Sequence, residues 1–244
     1  MVDVNGLASW ITNYLKSGDF PEDTSINGLQ VHASDEVGTV GLAVDASMET
    51  FQKMKTHECN FAVVHHGMYW KGVEPLIVGP TSNRVRFLLE NKISLYASHL
   101  PLDAHPQVGN NVEIIKALGF RPKKQVDRFR WVCHPRKTID EILLRVNEKI
   151  GAPIRQLKFG DESVDTLTVS SGGSTNAIFT APEGSTVLIG ELAHYGYHFA
   201  KERRINVIAA GHYATEKFGV IALGRVLEKK FKLPSIFVDV PTNI

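Results

Sequence analysis

The chain has 244 residues, of which 43% are hydrophobic and 22% are charged, a composition typical of a globular protein and unlike that of a disordered or fibrous one. Its 27 lysines and arginines nearly balance its 26 acidic residues, which argues against a dedicated polyanion binder. Two cysteines exclude a disulfide scaffold and a four-thiolate zinc site, so any metal would have to be held by carboxylates and some of the ten histidines.

Targeting and membrane segments are not recognisable in the sequence. The N-terminal residues lack the basic and apolar regions of a secretory signal, and no apolar run approaches the ~18–20 residues that cross a bilayer. The sequence therefore predicts a cytoplasmic protein without a membrane partner.

The first half predicts helices that alternate with short apolar strands. Apolar residues from Leu7 to Leu15 recur at helical spacing, and Gly18 is expected at the C-terminal cap. Strands buried on both faces are predicted from uninterrupted apolar runs at 39–45, 61–64 and 93–98, with helical patterns between them. Such alternation predicts an α/β fold with a parallel or mostly parallel sheet.

A charged, proline-punctuated stretch from Arg121 to Lys137 predicts a boundary between two lobes, at 1–125 and 126–244. Directly after it, Thr138 and Glu141 have the spacing of a capping box, and Gly151 would end the helix.

The second lobe repeats the α/β alternation of the first. Its last helix is predicted from about Ala214 to Lys230, and its strands near 166–170, 186–189, 206–210 and 235–239. In each half a strand ends in a histidine-bearing turn. This predicts two similar α/β lobes with mostly parallel or mixed sheets, whose strand ends face a common cleft.

Two adjacent histidines, His65 and His66, follow the second predicted strand. Successive side chains of a strand point to opposite faces, so the pair does not easily share one tetrahedral ion. A twist at Gly67 would let each histidine serve one ion of a pair. Two strand-end histidines that hydrogen-bond to neighbouring backbone explain the dipeptide alone better than a metal site does.

A second motif, Ser98 to His105, directly follows the third predicted strand. Pro101 stiffens its turn, and Asp103 is the carboxylate best placed to bridge two cations. Taken alone, Asp103 is better explained as a residue that caps a helix or accepts hydrogen bonds from turn amides.

His212 and Glu216 lie four residues apart, so on a helix they share one face and can converge on one site. A solvated, hydrogen-bonded pair would have the same spacing and is the simpler interpretation of this motif alone. Together, the three motifs offer three imidazoles and two carboxylates, which is the ligand set of a two-metal hydrolytic site.

The order of these motifs resembles the GTP cyclohydrolase 1 type 2 homolog family, also called the NGG-interacting-factor-three-like family, in its short prokaryotic form. Four stretches carry the resemblance: Asn27–Val31, His65–Gly67, His99–His105 with Gly109–Asn111, and Ala210–Glu216. The resemblance implies a two-lobed α/β subunit with a dinuclear metal centre in the cleft between the lobes. The implied ligands are His65, His66, Asp103, His212 and Glu216.

The resemblance also implies that Asp103 and Glu216 bridge the ions, that His99 holds water or transfers protons, and that the subunits form a toroidal homohexamer. The first function that follows is hydrolysis of a nucleotide-like substrate by two divalent ions, which could be Zn, Fe, Mn, Co or Ni. If the family name applies, the reaction opens the imidazole ring of GTP at C8, and His99 or His105 moves the protons.

The alternative function is a metal-stabilised, ring-shaped scaffold that binds a protein or nucleic-acid partner without turnover. The near-neutral net charge does not favour the nucleic-acid version. A glycine-rich loop around Gly172 and Gly173 follows a predicted strand and could cradle a phosphate, although a strand-to-helix turn explains its glycines better.

Overall fold

The computed structural model of the chain describes residues 2–151 and 155–242. Its α-helices are α1 (Val4–Tyr14), α2 (Met48–Thr56), α3 (Gly79–Glu90), α4 (Leu100–Ala104), α5 (Asn110–Ala117), α6 (Ile139–Ile150), α7 (Ala177–Thr180), α8 (Gly196–Glu202) and α9 (His212–Phe231). Its strands are β1 (Val2–Asp3), β2 (Gly28–Val31), β3 (Glu36–Val37), β4 (Val40–Asp45), β5 (Phe61–His66), β6 (Ser94–Ala97), β7 (Lys124–Asp127), β8 (Arg130–Cys133), β9 (Lys137–Thr138), β10 (Arg155–Leu157), β11 (Ser163–Val164), β12 (Leu167–Ser170), β13 (Thr186–Ile189), β14 (Asn206–Ala209) and β15 (Ser235–Phe237). Among the helices of the described ranges, none has both the length and the apolar character that crossing a membrane requires.

The chain divides into two compact units. The first consists of Met1–Leu102 and Val220–Val240, and the second of Asp103–Gly219 and Pro241–Ile244. Helix α9 therefore begins in the second unit and ends in the first. The boundary expected between residues 125 and 126 falls inside strand β7, and the division into lobes at 1–125 and 126–244 stays a prediction.

The first unit is built on a five-stranded sheet with the order β15-β4-β5-β6-β2. Its neighbours pair in parallel except for β2, which runs antiparallel to β6. The apolar runs of β4 and β5 are almost entirely buried, as expected for strands covered on both faces. Because these strands are parallel, their carboxyl ends meet at one edge, where the register places Asp45 opposite His66.

The second unit is built on a six-stranded sheet with the order β10-β14-β13-β12-β8-β7. Strands β12, β13 and β14 are parallel, and antiparallel strands extend the sheet at both sides. The charged stretch expected at a boundary instead forms the β7–β8 hairpin of this sheet. The prediction of an α/β fold with parallel and mixed sheets is confirmed.

Helix ends show which local signals acted as predicted. Thr138 and Glu141 form the capping box of α6, and Gly151 ends that helix in the left-handed conformation with φ of 70°. The prediction that Gly18 caps the C-terminus of the first helix is wrong. Lys16 takes the left-handed conformation after α1, with φ of 53°, and Gly18 lies inside a short 3-10 helix, Ser17–Asp19.

Candidate functional site

His65 and His66 lie at the end of β5, and their side-chain rings lie close together. Their ring centroids are 4.7 Å apart, and each offers a ring nitrogen that lies within 4.8 Å of the others in a group with His99. The two rings are therefore close enough to take part in one site. Gly67 is needed directly after this strand end, because a Cβ there would lie 2.6 Å from the Cβ of Ala97.

Hydrogen bonds fix the orientation of both rings. The Nδ1 of His65 is 3.0 Å from the carbonyl oxygen of Ser98, and the Nδ1 of His66 is 2.8 Å from Oδ1 of Asp45. Each partner can only accept a hydrogen bond, so each Nδ1 carries the hydrogen. In a neutral imidazole this leaves the lone pair on Nε2, the atom that a metal would take.

His99 is oriented in the same way by a buried aspartate that sequence reasoning missed. Its Nδ1 lies 2.8 Å from Oδ1 of Asp23, which also accepts hydrogen bonds from Asn27 and from the backbone amides of Ser25 and Leu100. Burial opposes ionisation of Asp23, but the hydrogen bonds from His99, Asn27 and the Ser25 amide outweigh it and lower its pKa to about 2. The carboxylate therefore stays ionised and holds the hydrogen of His99 on Nδ1.

In the second unit, Asp103 is held by one side chain of α5 and by another from the residue after β12. Its Oδ1 accepts hydrogen bonds from Nδ2 of Asn110 at 2.8 Å and from Oγ of Ser171 at 3.1 Å. Asp103 lies in α4 and is buried, with 7% exposure, and one of its carboxylate oxygens lies within 4.8 Å of one from Glu216. These two hydrogen bonds, both from side chains, hold the carboxylate of Asp103 in place.

His212 and Glu216 lie on the first turns of α9. The Nε2 of His212 is 3.0 Å from Oε2 of Glu216, and its Nδ1 is 2.5 Å from Oε1 of Glu191. Burial lowers the pKa of His212, but the hydrogen bonds and negative charges of Glu216 and Glu191 outweigh it and raise the pKa to about 9. The solvated-pair interpretation is wrong, because the Glu216 side chain is only 5% exposed.

Gly172 lies against this pair and explains the glycine-rich loop. It has a φ of +64°, and a Cβ built on it would stand 2.1 Å from Oε1 of Glu216 and 3.4 Å from Nε2 of His212. Its amide donates to Oγ1 of Thr215 at 3.0 Å. The glycine is thus required both by its backbone conformation and by its closeness to Glu216.

His105 has the opposite hydrogen-bonding pattern from the other four histidines. Its Nδ1 accepts from the amides of Gln107 and Val108, both at 3.3 Å, so its hydrogen lies on Nε2. In the described ranges, none of the three-residue groups suited to a metal includes His105. In this tautomer Nε2 of His105 can donate a hydrogen bond.

Three acceptors, Asp23, Asp45 and Glu191, were missed by sequence reasoning, although two of them left a signal. Asp45 ends the strand next to the one that carries His66, and Glu191 follows β13 closely. A carboxylate at the carboxyl end of a parallel strand is a natural partner for a site residue on the neighbouring strand. Asp23 lies in an irregular stretch without periodicity, so its role depends on tertiary structure.

Comparisons with known proteins find similarity along nearly the whole chain. The profile of the family described as Duf34/NIF3 (NGG1p interacting factor 3) matches residues 2–244. A Pyrococcus horikoshii protein named GTP cyclohydrolase 1 type 2 homolog is 39% identical over 255 residues and covers 100% of both chains. A protein of the same name from Archaeoglobus fulgidus is 41% identical over 232 residues, covering 91% of this chain and 92% of its own. A crystal structure of a Thermus thermophilus protein superposes with a TM-score of 0.92 at 36% identity, covering 100% of both chains.

Proposed function

Since the chain belongs to the Duf34/NIF3 family, we propose that it is a dinuclear metal-dependent hydrolase of a nucleotide-like substrate. The observation that carries this proposal is the common orientation of His65, His66 and His99. Each donates Nδ1–H to a fixed acceptor and keeps Nε2 for a ligand. Histidines that bind metals show this arrangement, because the second hydrogen bond fixes the tautomer and the direction of the ring.

We propose five ligands: His65 and His66 from the first unit, and Asp103, His212 and Glu216 from the second. Asp103 and Glu216 would bridge the ions, because a carboxylate has two oxygens to share. Imidazole with carboxylate fits zinc, iron, manganese, cobalt and nickel, so the donor set limits the metal to this group. When bound, two such ions supply Lewis acidity and make a water reactive near neutral pH.

His99 would carry the proton transfers and His105 would assist them. With its Nδ1 hydrogen bonded to Asp23, His99 presents Nε2 as a base that takes a proton from water and then passes it to the leaving nitrogen. His105 carries its hydrogen on Nε2 and would donate a hydrogen bond to that nitrogen. With GTP, one water adds at C8 and the first C8–N bond breaks, which leaves a formamide. A second water then cleaves the remaining C8–N bond and releases formate, and each leaving nitrogen takes one proton. Relatives named GTP cyclohydrolase 1 type 2 homolog support a substrate of this class.

The test is formate release from GTP by protein loaded with each of the five metals in turn. We expect turnover with at least one metal, its loss in Glu216→Gln, and full activity in Glu148→Gln, a matched change at an exposed residue of α6. No formate with any metal would overturn GTP as the substrate, and equal formate from Glu216→Gln would overturn the role of Glu216 in the reaction.

We also propose a homohexamer that works in a reducing cytoplasm. The family resemblance supports the assembly, and the two cysteines, Cys59 and Cys133, are buried free thiols that a reducing compartment preserves. Sedimentation equilibrium is expected to give six times the 27.0 kDa mass of one chain. A monomeric or dimeric mass at micromolar concentration would contradict the assembly.

A further inference from the structure

The second unit contains a cavity of about 350 Å³ that shares none of its lining with the candidate site. It lies against the β7–β8 hairpin, β12 and the end of α7. Its apolar part is formed by Val126, Val132, Ala181 and Pro182. A volume of this size falls in the range of ~300–1,000 Å³ that small-molecule sites occupy.

The cavity exists because the two faces of this sheet are covered differently. On one face, Trp131 and Cys133 of β8 and Val169 of β12 pack into an apolar cluster with α6. Their neighbours Val132 and Thr168 point to the other face, since side chains alternate along a strand. These two residues are paired in register and both line the cavity.

Helix α7 covers this second face only in part. Its Ile178 packs with Val187 and Ile189 of β13 and with Val207 of β14 in a separate apolar cluster. Among the described residues, that cluster takes none from β8 or β7. The cavity is therefore the space between the end of α7 and the hairpin, and Val126 on its wall is 51% exposed.

Positive charge is concentrated at the same hairpin. Residues 121–137 contain seven lysines and arginines and one carboxylate, Asp127, although the whole chain has a net charge of only +1. Asp127 forms an ion pair with Arg130. Lys123 and Lys124 are both exposed and belong to the cavity lining, in which the described residues include no carboxylate.

We propose that this cavity binds a small organic anion. Its apolar body would pack against Val126, Val132 and Pro182, and its acidic group would meet Lys123 and Lys124. A macromolecular polyanion would need a longer charged track, whereas one partly open cavity with two successive lysines in its lining matches a single molecule with one acidic end. This site goes beyond the proposed hydrolase function and does not depend on it.

The test uses two fluorescent probes with similar aromatic bodies. One is 8-anilinonaphthalene-1-sulfonate, which carries a negative charge, and the other is N-phenyl-1-naphthylamine, which is neutral. We expect the sulfonate to bind at one site per chain and more tightly than the neutral probe. Added salt should weaken the binding of the sulfonate. Equal affinity for the two probes would overturn the proposal.

Variants locate the site. The double variant Lys123→Gln/Lys124→Gln is expected to bind the sulfonate roughly three- to tenfold more weakly, the effect of losing two partly exposed charge contacts. Lys149→Gln/Lys229→Gln makes the same change in net charge at exposed residues elsewhere and should change affinity less than twofold. Equal weakening by both pairs would overturn the site.

A third variant, Val126→Glu, places a carboxylate on the half-exposed wall of the cavity. It should weaken binding of the sulfonate far more than binding of the neutral probe. Unchanged binding of the sulfonate would overturn the site.

Sedimentation of the Val126→Glu variant distinguishes a ligand cavity from a surface that contacts other copies of the chain. An unchanged mass supports the cavity, and a changed mass would assign the face to self-association and overturn the proposal.

Discussion

At the scale of single residues, the candidate ligands depend on neighbours that bind no metal themselves. Gly172 shows this most directly, since it has a left-handed backbone conformation and leaves no room for a Cβ beside Glu216. The identity of this residue therefore limits where the Glu216 carboxylate can lie.

We expect Gly172→Ala to lower the metal content of the purified protein and its unfolding temperature. The added methyl would stand 2.1 Å from Oε1 of Glu216, so the carboxylate or the loop must move. Gly173→Ala is the matched control, because the nearest contact of its Cβ would be at 3.8 Å. Elemental analysis and thermal unfolding measure the difference. Equal metal content in the two variants would show that Gly172 is not needed for binding.

Asp23 predicts a specific pH dependence of stability. Its pKa in the folded protein is about 2, below its ordinary value of 3.8, so the ionised form is stabilised by folding. This contribution is complete above about pH 4 and is lost as the pH falls through about 2. In Asp23→Asn, the urea midpoint should be lower at pH 6 and should fall less between pH 6 and pH 3 than in the unchanged protein. Asp35→Asn, at a carboxylate 98% exposed, should leave both values unchanged.

How far the sequence predicted the site varies among the residues. Chemical type and order along the chain pointed to His65, His66, Asp103, His212 and Glu216, because metal-binding chemistry restricts residue type. The orienting partners were not predicted, because contacts such as His99 with Asp23 join positions 76 residues apart. A carboxylate in an irregular turn has no local pattern that distinguishes an orienting role from a solvated one.

At the scale of elements, helix α6 was predicted almost to the residue because its end signals are local. Thr138 accepts from the Glu141 amide, and the Glu141 carboxylate accepts from the Thr138 amide. By contrast, α9 begins at His212, earlier than the apolar pattern indicated, since its first turn carries site residues instead of a regular apolar stripe.

Thr138→Ala should reduce the free energy of unfolding by about 1 kcal/mol, because the Glu141 amide at the start of α6 loses its side-chain acceptor. Thr138→Ser keeps the hydroxyl and should cost only a few tenths of a kcal/mol. Urea unfolding of the two variants at neutral pH distinguishes them. If serine and alanine are equally destabilising, the loss lies in the threonine methyl group and the cap contributes nothing.

At the scale of the whole molecule, the proposed ligands come from both units, so single substitutions in either unit should have linked effects. We expect His65→Gln and Glu216→Gln each to lower the metal content, and the double variant to lower it little further. His134→Gln, at an exposed histidine whose Nδ1 donates to the backbone carbonyl of Asp165, is the control. Additive losses in the double variant would mean that the two units hold metal separately.

The position of β15 has a consequence for biosynthesis. This strand pairs with β4 at one edge of the first sheet, yet it is translated only after the whole stretch Asp103–Gly219. At ~5–20 residues/s, the outer edge of β4 waits on the order of 10–40 s for its partner. An open strand edge can pair with other chains. Nascent chains that stall before Ser235 should therefore aggregate through the first unit, even when the stretch Asp103–Gly219 has already been made.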